Sequence, residues 1–371
     1  MKNSECVVEF STNDYEFMAR ALRLAKKGLY TAHPNPRVGC VMVRDGQIVG
    51  EGWHEYTGGP HAEINALQQA GDKARGATVY VTLEPCCHEG RTPPCTEALI
   101  KAGVAKVIAA MVDPHSRVAG NGLEQLKTAG IEVASGLLEA QAEAMNPGFI
   151  KRMRFGRPFV RSKLAMSLDG RTAMASGESK WITSNAARLD VQRFRARSSA
   201  ILTGVGTVLA DDPSMTVRSE DVRTQPIRVV VDTHLSMPID AKMLKEPGET
   251  YVFTCSDNEG KSELEAAGAK VVTMPFCATD VDLESVLDQL GEMEINEVLV
   301  ETGATLSGGF LQAGLIDELV IYVAPGLMGD SARALFRLPG LETMEQKIEL
   351  DIIDRRMVGQ DMRITAKVIR K

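Results

Sequence analysis

Apolar positions along this chain switch repeatedly between helical and extended spacing. From Met18 through Ala21, Leu22 and Ala25 they recur three and four apart, which predicts a helix over 13–29 with Asn13 as its N-cap. The apolar run 38–43, the dipeptide Asp45-Gly46 and the run 48–53 read as a hairpin, because Asp-Gly accepts the left-handed backbone of a two-residue turn. After Gly58-Gly59-Pro60 the pattern is helical over 61–70, extended over 78–83, helical over 96–102 and extended over 104–112. Helix 123–129, strand 131–134 and helix 138–145 follow. Such alternation predicts a three-layer α/β domain on a mostly parallel sheet.

The pattern then breaks. Residues 147–158 carry Lys151, Arg152, Arg154 and Arg157 with two prolines, two glycines and no acid, which reads as a linker with a solvated basic face. The domains expected on either side are 1–156 and 157–371. In the second, strand 159–165, helix 185–195 and strands 200–203, 227–231 and 250–254 are followed by helix 261–267 and strand 270–273. Helix 283–290, strand 297–300, helix 306–313, strand 318–323 and closing strands near 349–353 and 362–369 complete a second α/β domain. A length of 371 residues agrees with two domains at roughly 150 residues each.

Composition narrows the classes. With 44% hydrophobic and 25% charged residues the chain is not an extended disordered one. A net charge of −7 argues against broad binding to a nucleic-acid backbone, while leaving room for a local site for one phosphate. No apolar run reaches the roughly 20 residues of a membrane span, and Glu5, Glu9 and Asp14 interrupt any signal-peptide core. Seven cysteines are too few and too scattered for a disulfide scaffold; Cys86, Cys87 and Cys95 cluster, whereas Cys6, Cys40, Cys255 and Cys277 stand apart. A reduced, cytoplasmic protein with one metal or redox site is the expectation.

The chemistry concentrates in His61-Ala62-Glu63, Pro85-Cys86 and Cys95. One imidazole and two thiolates suit Zn2+ and leave a fourth coordination position for water. Glu63, two residues past His61 at a helix start, is placed to exchange the proton of that water without being a ligand. The arrangement resembles the H-x-E…P-C-x-x-C signature of zinc deaminases, although eight residues rather than two separate Cys86 from Cys95. Cys95 is favoured over Cys87 as the second thiolate. The competing reading is a structural zinc closed by a fourth ligand, Cys87 or His88, beside a second domain that serves binding or assembly. It leaves Glu63 and Pro85 unexplained.

Longer segments carry a closer resemblance. His33-Pro34-Asn35-Pro36-Arg37-Val38-Gly39, the His61 segment and Glu84-Pro85-Cys86-Cys87-His88-Glu89-Gly90-Arg91-Thr92-Pro93-Pro94-Cys95 together resemble the bifunctional deaminase/reductases of riboflavin biosynthesis. So do Lys163–Arg171, Gly177–Thr183, Ala210-Asp211-Asp212-Pro213 and Glu301-Thr302-Gly303, although glycine or alanine often stands where this chain has Thr302. The resemblance implies a cytidine-deaminase-like first domain and a dihydrofolate-reductase-like second domain. A doubly wound dinucleotide fold is disfavoured by the residues themselves: Gly204-Val205-Gly206 has Leu209 in place of the third glycine, and Asp211-Asp212-Pro213 stops the helix. The implied chemistry is zinc-dependent deamination of a diaminopyrimidinone ribosylamine phosphate, then NADPH-dependent reduction of its ribosyl group. A cytoplasmic homo-oligomer, dimer or tetramer, is expected, with no nucleic-acid or membrane partner.

The resemblance also implies site residues. His61, Cys86 and Cys95 hold zinc, Glu63 is catalytic, and Asn35, His54 and Arg91 hold the substrate in the first domain. In the second, Lys163 and Glu301 move protons, while Ser179, Arg195, Met215, Arg218 and Glu301 meet the substrate; a guanidinium suits its phosphate. Cofactor contacts fall at Ala165, Trp181, Thr207, Asp211, Thr233 and the run Gly303, Ala304, Thr305, Leu306, Ser307, Gly308, Gly309, which opens a helix whose free N–H groups suit a phosphate. Taken alone, each arginine is equally readable as a surface ion pair, and Lys163 with Glu301 as an internal salt bridge. The alternative enzyme is a nucleic-acid base deaminase with an accessory domain, which the net charge disfavours.

Overall fold

The computed structural model describes residues 9–88, 93–115, 118–218, 224–277 and 280–369. The chain divides into two units, one ending at Phe155 and the other beginning at Gly156. No helix among the described residues is long and apolar enough to cross a membrane.

In the first unit, helix α1 (Thr12–Ala25) starts one residue before the expected helix. Its cap is Ser11, not Asn13: the Asp14 N–H donates to Ser11 Oγ at 3.3 Å and the Ser11 N–H returns a bond to Asp14 Oδ2 at 2.8 Å, a reciprocal box that Asn13 lacks. Strands β1 (Gly39–Arg44) and β2 (Gln47–Trp53) pair antiparallel through Asp45 and Gly46, both at positive φ. Helix α2 (Ala62–Ala70) leads to β3 (Thr78–Val81), followed by α3 (Cys95–Ala102), β4 (Lys106–Ala109), α4 (Asn121–Thr128), β5 (Glu132–Ser135) and α5 (Glu139–Met145). The sheet order is β2-β1-β3-β4-β5. It is mixed rather than mostly parallel: β3, β4 and β5 are parallel, but the crossover through α2 skips β1, leaving that strand antiparallel to both neighbours.

Side-chain alternation on β1 separates two cores. Val41 and Val43 face Met18, Leu22 and Ile108 beneath α1, while Cys40 and Met42 face Ala62, Ala66 and Leu99 beneath α2 and α3. Gly50 and Gly52 on β2 let α2 lie against bare backbone, since a Cβ at either would collide with the carbonyl of Ala66 or Ala62. The expected linker is in fact helix α6 (Pro147–Phe155). Proline at a first helical position loses no hydrogen bond, and Ile150 packs into the α1 core. Just before it, Asn146 bonds both ways to the Arg37 backbone, at 2.8 and 2.9 Å.

The second unit contains β6 (Phe159–Ser167), β7 (Arg171–Ala173), α7 (Asn185–Arg197), β8 (Ala200–Gly204), α8 (Val205–Asp211), β9 (Ile227–Val231), β10 (Thr250–Thr254), α9 (Glu259–Ala266) and β11 (Ala269–Thr273). The short strands β12 (Phe276–Cys277) and β13 (Asp280–Val281) follow, then α10 (Leu283–Glu292), β14 (Glu297–Val300), α11 (Ala304–Gln312), β15 (Glu318–Ala324), β16 (Arg333–Ala334), β17 (Leu350–Val358) and β18 (Asp361–Val368). Nine strands form one sheet, β11-β10-β9-β8-β14-β6-β15-β18-β17, parallel from β11 to β15 and antiparallel beyond. Two two-stranded ribbons, β12–β13 and β16–β7, are too short to have left a periodic signal. Val160, Leu164, Leu202 and Val300 fill one face with Phe310 and Leu311 of α11; Val320 and Tyr322 pack on α7 across the other.

Because α2 rests on glycine backbone, Gly52→Ala must push the helix outward. Overpacking of this kind costs about 1–3 kcal/mol, so urea denaturation should show that loss in the first unit's transition; an unchanged midpoint contradicts the packing.

Candidate active sites

His61 occupies the N-cap position of α2 with extended backbone, yet its side chain makes no capping hydrogen bond. The ring instead turns to the cysteines: Nδ1 lies 3.5 Å from Cys86 Sγ and 3.3 Å from Cys95 Sγ. Ligand atoms of the three residues lie within 4.8 Å of one another. Cys95 is the first residue of α3, and its N–H donates to Cys86 Sγ at 3.4 Å. Both α2 and α3 therefore aim their electropositive ends at the sulfurs, which favours thiolates. A hydrogen bond from Cys95 pulls the Cys86 thiol well below its usual range, and the same bond with burial raises Cys95. Two sulfurs and one imidazole nitrogen this close fit Zn2+, whose charge keeps both sulfurs deprotonated. Cys87 and His88 do not join this group, so among the described residues nothing closes the set with a fourth protein ligand.

Glu63 is the second residue of α2 and only 4% exposed. Burial, followed by the negative charge of Cys86, pushes its carboxyl up to about 7, so it can both take and return a proton near neutrality. Asn35 and His54 lie close by, with the His54 and His61 rings edge to face at 5.5 Å. His54 Nδ1 is 3.1 Å from the Pro60 carbonyl, which can only accept, so Nδ1 carries the hydrogen and Nε2 accepts from Asn35 Nδ2 at 3.0 Å. Burial lowers the His54 pKa, in keeping with a neutral ring. One N–H of Asn35 is thus committed to His54, leaving its oxygen and second N–H outside that bond. Arg91 lies outside the described residues.

In the second unit the parallel register builds a polar row. Val300 of β14 pairs with Ser162 of β6 and Leu202 of β8, so one residue further on Lys163, Glu301 and Thr203 come abreast. Glu301 does not pair with Lys163. Arg195 of α7 clasps it with both arms of its fork, at 2.6 and 3.0 Å, while Nη1 donates to the Thr216 carbonyl at 2.9 Å. Burial opposes ionisation, but Arg195 holds the Glu301 carboxyl below its usual range. Burial also lowers Lys163, aided by Arg195. Thr203 is a residue that sequence reasoning missed: its buried hydroxyl has no hydrogen-bond partner among the described residues. Strand alternation, which puts Thr203 on the face of Ile201, was the available signal.

Gly303 caps α11 without a side-chain bond, and open space surrounds the place of its missing Cβ. Ser307 N–H already donates to Gly303 O at 3.1 Å, so the N–H groups of Ala304, Thr305 and Leu306 are the ones free of helix bonds. The buried Ser307 hydroxyl lacks a partner among the described residues, and these groups suit a cofactor phosphate. Gly308 has a different task, since a Cβ there would strike the Arg337 carbonyl; Gly309 lies near Leu283. Thr207 sits within α8, and Asp211 at its end pairs with Lys180 at 3.1 Å. That pair ties down the segment holding Ser179 and Trp181, whose ring is 71% exposed with Arg188 over it at 4.4 Å. Met215 is buried at φ 52, and the Arg218 N–H donates to Gln192 at 2.9 Å. Ala165 packs on β6 toward α7, and Thr233, past the end of β9, lies 3.5 Å from Asp280.

Comparison with known proteins places both halves. Residues 11–111 match the cytidine and deoxycytidylate deaminase zinc-binding region, and residues 158–363 match the RibD C-terminal domain. Riboflavin biosynthesis protein RibD of Escherichia coli K12 is 52% identical over 361 residues, covering 94% of this chain and 98% of that protein. The Haemophilus influenzae protein of the same name is 48% identical over 377 residues, covering 97% of this chain and 98% of its own. Among solved structures, Acinetobacter baumannii RibD (form 1) superimposes with a TM-score of 0.91 at 49% identity, covering 96% of this chain and 99% of that one. The Thermotoga maritima diaminohydroxyphosphoribosylaminopyrimidine deaminase/5-amino-6-(5-phosphoribosylamino)uracil reductase does so at 0.86 and 35% identity, with the same coverage. The first unit accordingly carries a cytidine-deaminase-type zinc-binding region, and the second is a RibD C-terminal domain. A nucleic-acid deaminase with an accessory domain has no place for a match that runs through both halves, and the chain belongs to the RibD family of riboflavin-biosynthesis deaminase/reductases.

Proposed function

We propose that residues 1–156 deaminate 2,5-diamino-6-ribosylamino-4(3H)-pyrimidinone 5′-phosphate and that residues 157–371 reduce the ribosyl group of the product, giving 5-amino-6-ribitylamino-uracil 5′-phosphate. The observation that carries the first step is a buried carboxyl, Glu63, on the helix whose N-cap, His61, is gathered with Cys86 and Cys95 into one cluster of metal-ligating atoms. When bound there, Zn2+ supplies Lewis-acid activation of water. Glu63 passes one proton of the attacking water to the ring nitrogen as the C–O bond forms, then takes the proton of the new C–OH and hands it to the amine, which leaves as ammonia as the C–N bond breaks. Asn35, oriented by neutral His54, meets the edge of the pyrimidinone, and Arg91 meets the phosphate.

For the second step, NADPH supplies the hydride. The free N–H groups at the start of α11 hold a cofactor phosphate, with Thr207, Asp211, Thr233, Ala165 and Trp181 along the remaining cofactor. Ring opening of the ribosylamine needs a proton donor. Lys163 fits that role, because it makes no hydrogen bond or ion pair among the described residues, whereas Glu301 is held by Arg195. Glu301 then orients the sugar hydroxyls, and Arg218 with Ser179 and Met215 surrounds the phosphate end. The Lys163, Arg195 and Glu301 group carries one net positive charge, which favours a phosphorylated substrate.

We further infer a cytoplasmic homo-oligomer whose contact is β17. This strand ends the nine-stranded sheet, is nine residues long, and exposes Ile352, Ile353 and Met357. These exposed apolar side chains, set among Asp351, Asp354, Arg355 and Arg356, offer an edge that can pair with a second copy of itself about a twofold axis.

Glu63→Gln should retain zinc while ammonia release falls 10²- to 10⁴-fold; a zinc-loaded variant of normal rate removes Glu63 from the mechanism. A chelator should abolish ammonia release by the parent chain yet spare NADPH oxidation on pre-deaminated substrate. Glu301→Gln should slow NADPH oxidation more than tenfold and leave ammonia release unaltered, and equal reductase kinetics would contradict its role. Introducing lysine at Ile352 and Ile353 together should halve the mass seen by analytical ultracentrifugation, which an unaltered sedimentation profile would refute.

A further inference from the structure

Glu84 stands two residues before Cys86, and its own N–H donates to Met111 O at 3.0 Å, prolonging the pairing of β3 with β4 toward the metal centre. The side chain is 3% exposed and meets no cation among the described residues. Both oxygens instead accept backbone N–H groups from the far side of the loop. Oε2 takes those of Asp113 at 3.0 Å and Gly120 at 2.9 Å; Oε1 takes those of Gly122 at 2.8 Å and Leu123 at 3.2 Å. These donors span the connection from β4 into the first turn of α4. Gly122 lies so close that a Cβ on it would collide with the Pro85 carbonyl. Past Pro85, the Cys86 carbonyl accepts from Thr96 N–H at 3.2 Å, and Thr96 Oγ1 reaches Gln125 of α4 at 2.6 Å. The segment carrying Cys86 is thus clamped to α4 before and after the ligand.

A buried carboxylate without a counter-ion persists only where hydrogen bonds to its charged form replace water. Neither metal ligation nor proton transfer uses this one. We propose that Glu84 is a positioning residue of the zinc centre: its four backbone hydrogen bonds set where the Cys86 segment stands relative to His61 and Cys95, and thereby the affinity for zinc. The proposal rests on the zinc reading of those three residues. Glutamine cannot substitute, because its amide nitrogen would point two hydrogens at two N–H donors.

The test begins with zinc titration of the parent chain against a chromophoric chelator; a parent that binds no zinc sinks the zinc reading itself. Glu84→Gln should bind zinc 10- to 100-fold more weakly, the range for lost outer contacts of a metal site, and its Co2+ form should show a shifted visible band. Reductase rates should stay within twofold. A variant with parental zinc affinity and an unshifted Co2+ band overturns the proposal. Should the variant fail to fold, amide exchange in the parent decides. By linkage, zinc should slow exchange at Asp113, Gly120, Gly122 and Leu123 at least tenfold, and equal rates with and without zinc overturn it.

Discussion

The first half of the molecule depends on how deeply α2 settles against the hairpin of β1 and β2. Zinc tolerates ligand displacements of only a few tenths of an ångström. One of the three residues whose atoms fit it, His61, rides on the start of that helix, while the other two stand on the loop after β3 and on α3. Gly50 and Gly52 remove the side chains that would hold the helix off, and alanines at positions 62, 66 and 70 do the same from the other side. Small residues therefore fix the depth, and depth brings a nitrogen and two sulfurs together. The two helix ends then supply positive potential where two thiolates must form.

The second half solves a different problem, placing opposite charges inside a parallel sheet. Arg161 and Lys163 are two residues apart on β6 and share one face. Near the amino ends of the strands, Arg161 is enclosed by Glu297, at 3.0 Å, and Glu318, so that no buried charge is left alone. Two residues on, the balance is left incomplete: Glu301 is matched by Arg195, but Lys163, though attracted by Glu301, makes no hydrogen bond or ion pair of its own among the described residues. Buried ion pairs add little net stability, whereas an unmatched buried ammonium is a standing opportunity for a ligand. The insertion of β14 between β8 and β6 puts this opportunity at the carboxyl ends of the strands, where open α/β sheets form their crevices.

Both sites use neutral or paired groups to keep their reactive ones honest in protonation. Burial lowers the His54 pKa against the opposing pull of the Pro60 carbonyl, so Asn35 is oriented by a ring whose neutral form is favoured. Glu301 is held charged by Arg195. In each case the surroundings fix the favoured protonation state of one group, by burial at His54 and by the Arg195 fork at Glu301.

Much of this was legible along the chain. Asp45-Gly46 announces its turn because two-residue turns demand left-handed backbone, and His61, Glu63, Cys86 and Cys95 announce zinc because few other uses need those atoms at that spacing. Local patterns misjudged what distant contacts decide. Residues 147–158 read as a linker, yet 147–155 are helical, with Ile150 in the α1 core and Asn146 on the Arg37 backbone. The antiparallel placement of β1 follows from a crossover that skips it, which no window of residues records. That Glu301 answers to Arg195 across 106 positions, or that the carboxylate of Glu84 gathers four N–H groups up to 39 positions away, exists only once strands stand in register and helices are laid upon them. Residue types and their local spacing determine which elements form and which chemistry is at hand; partners are chosen by packing, because hydrogen bonds and charges act over a few ångströms and only the folded chain brings remote residues within that reach.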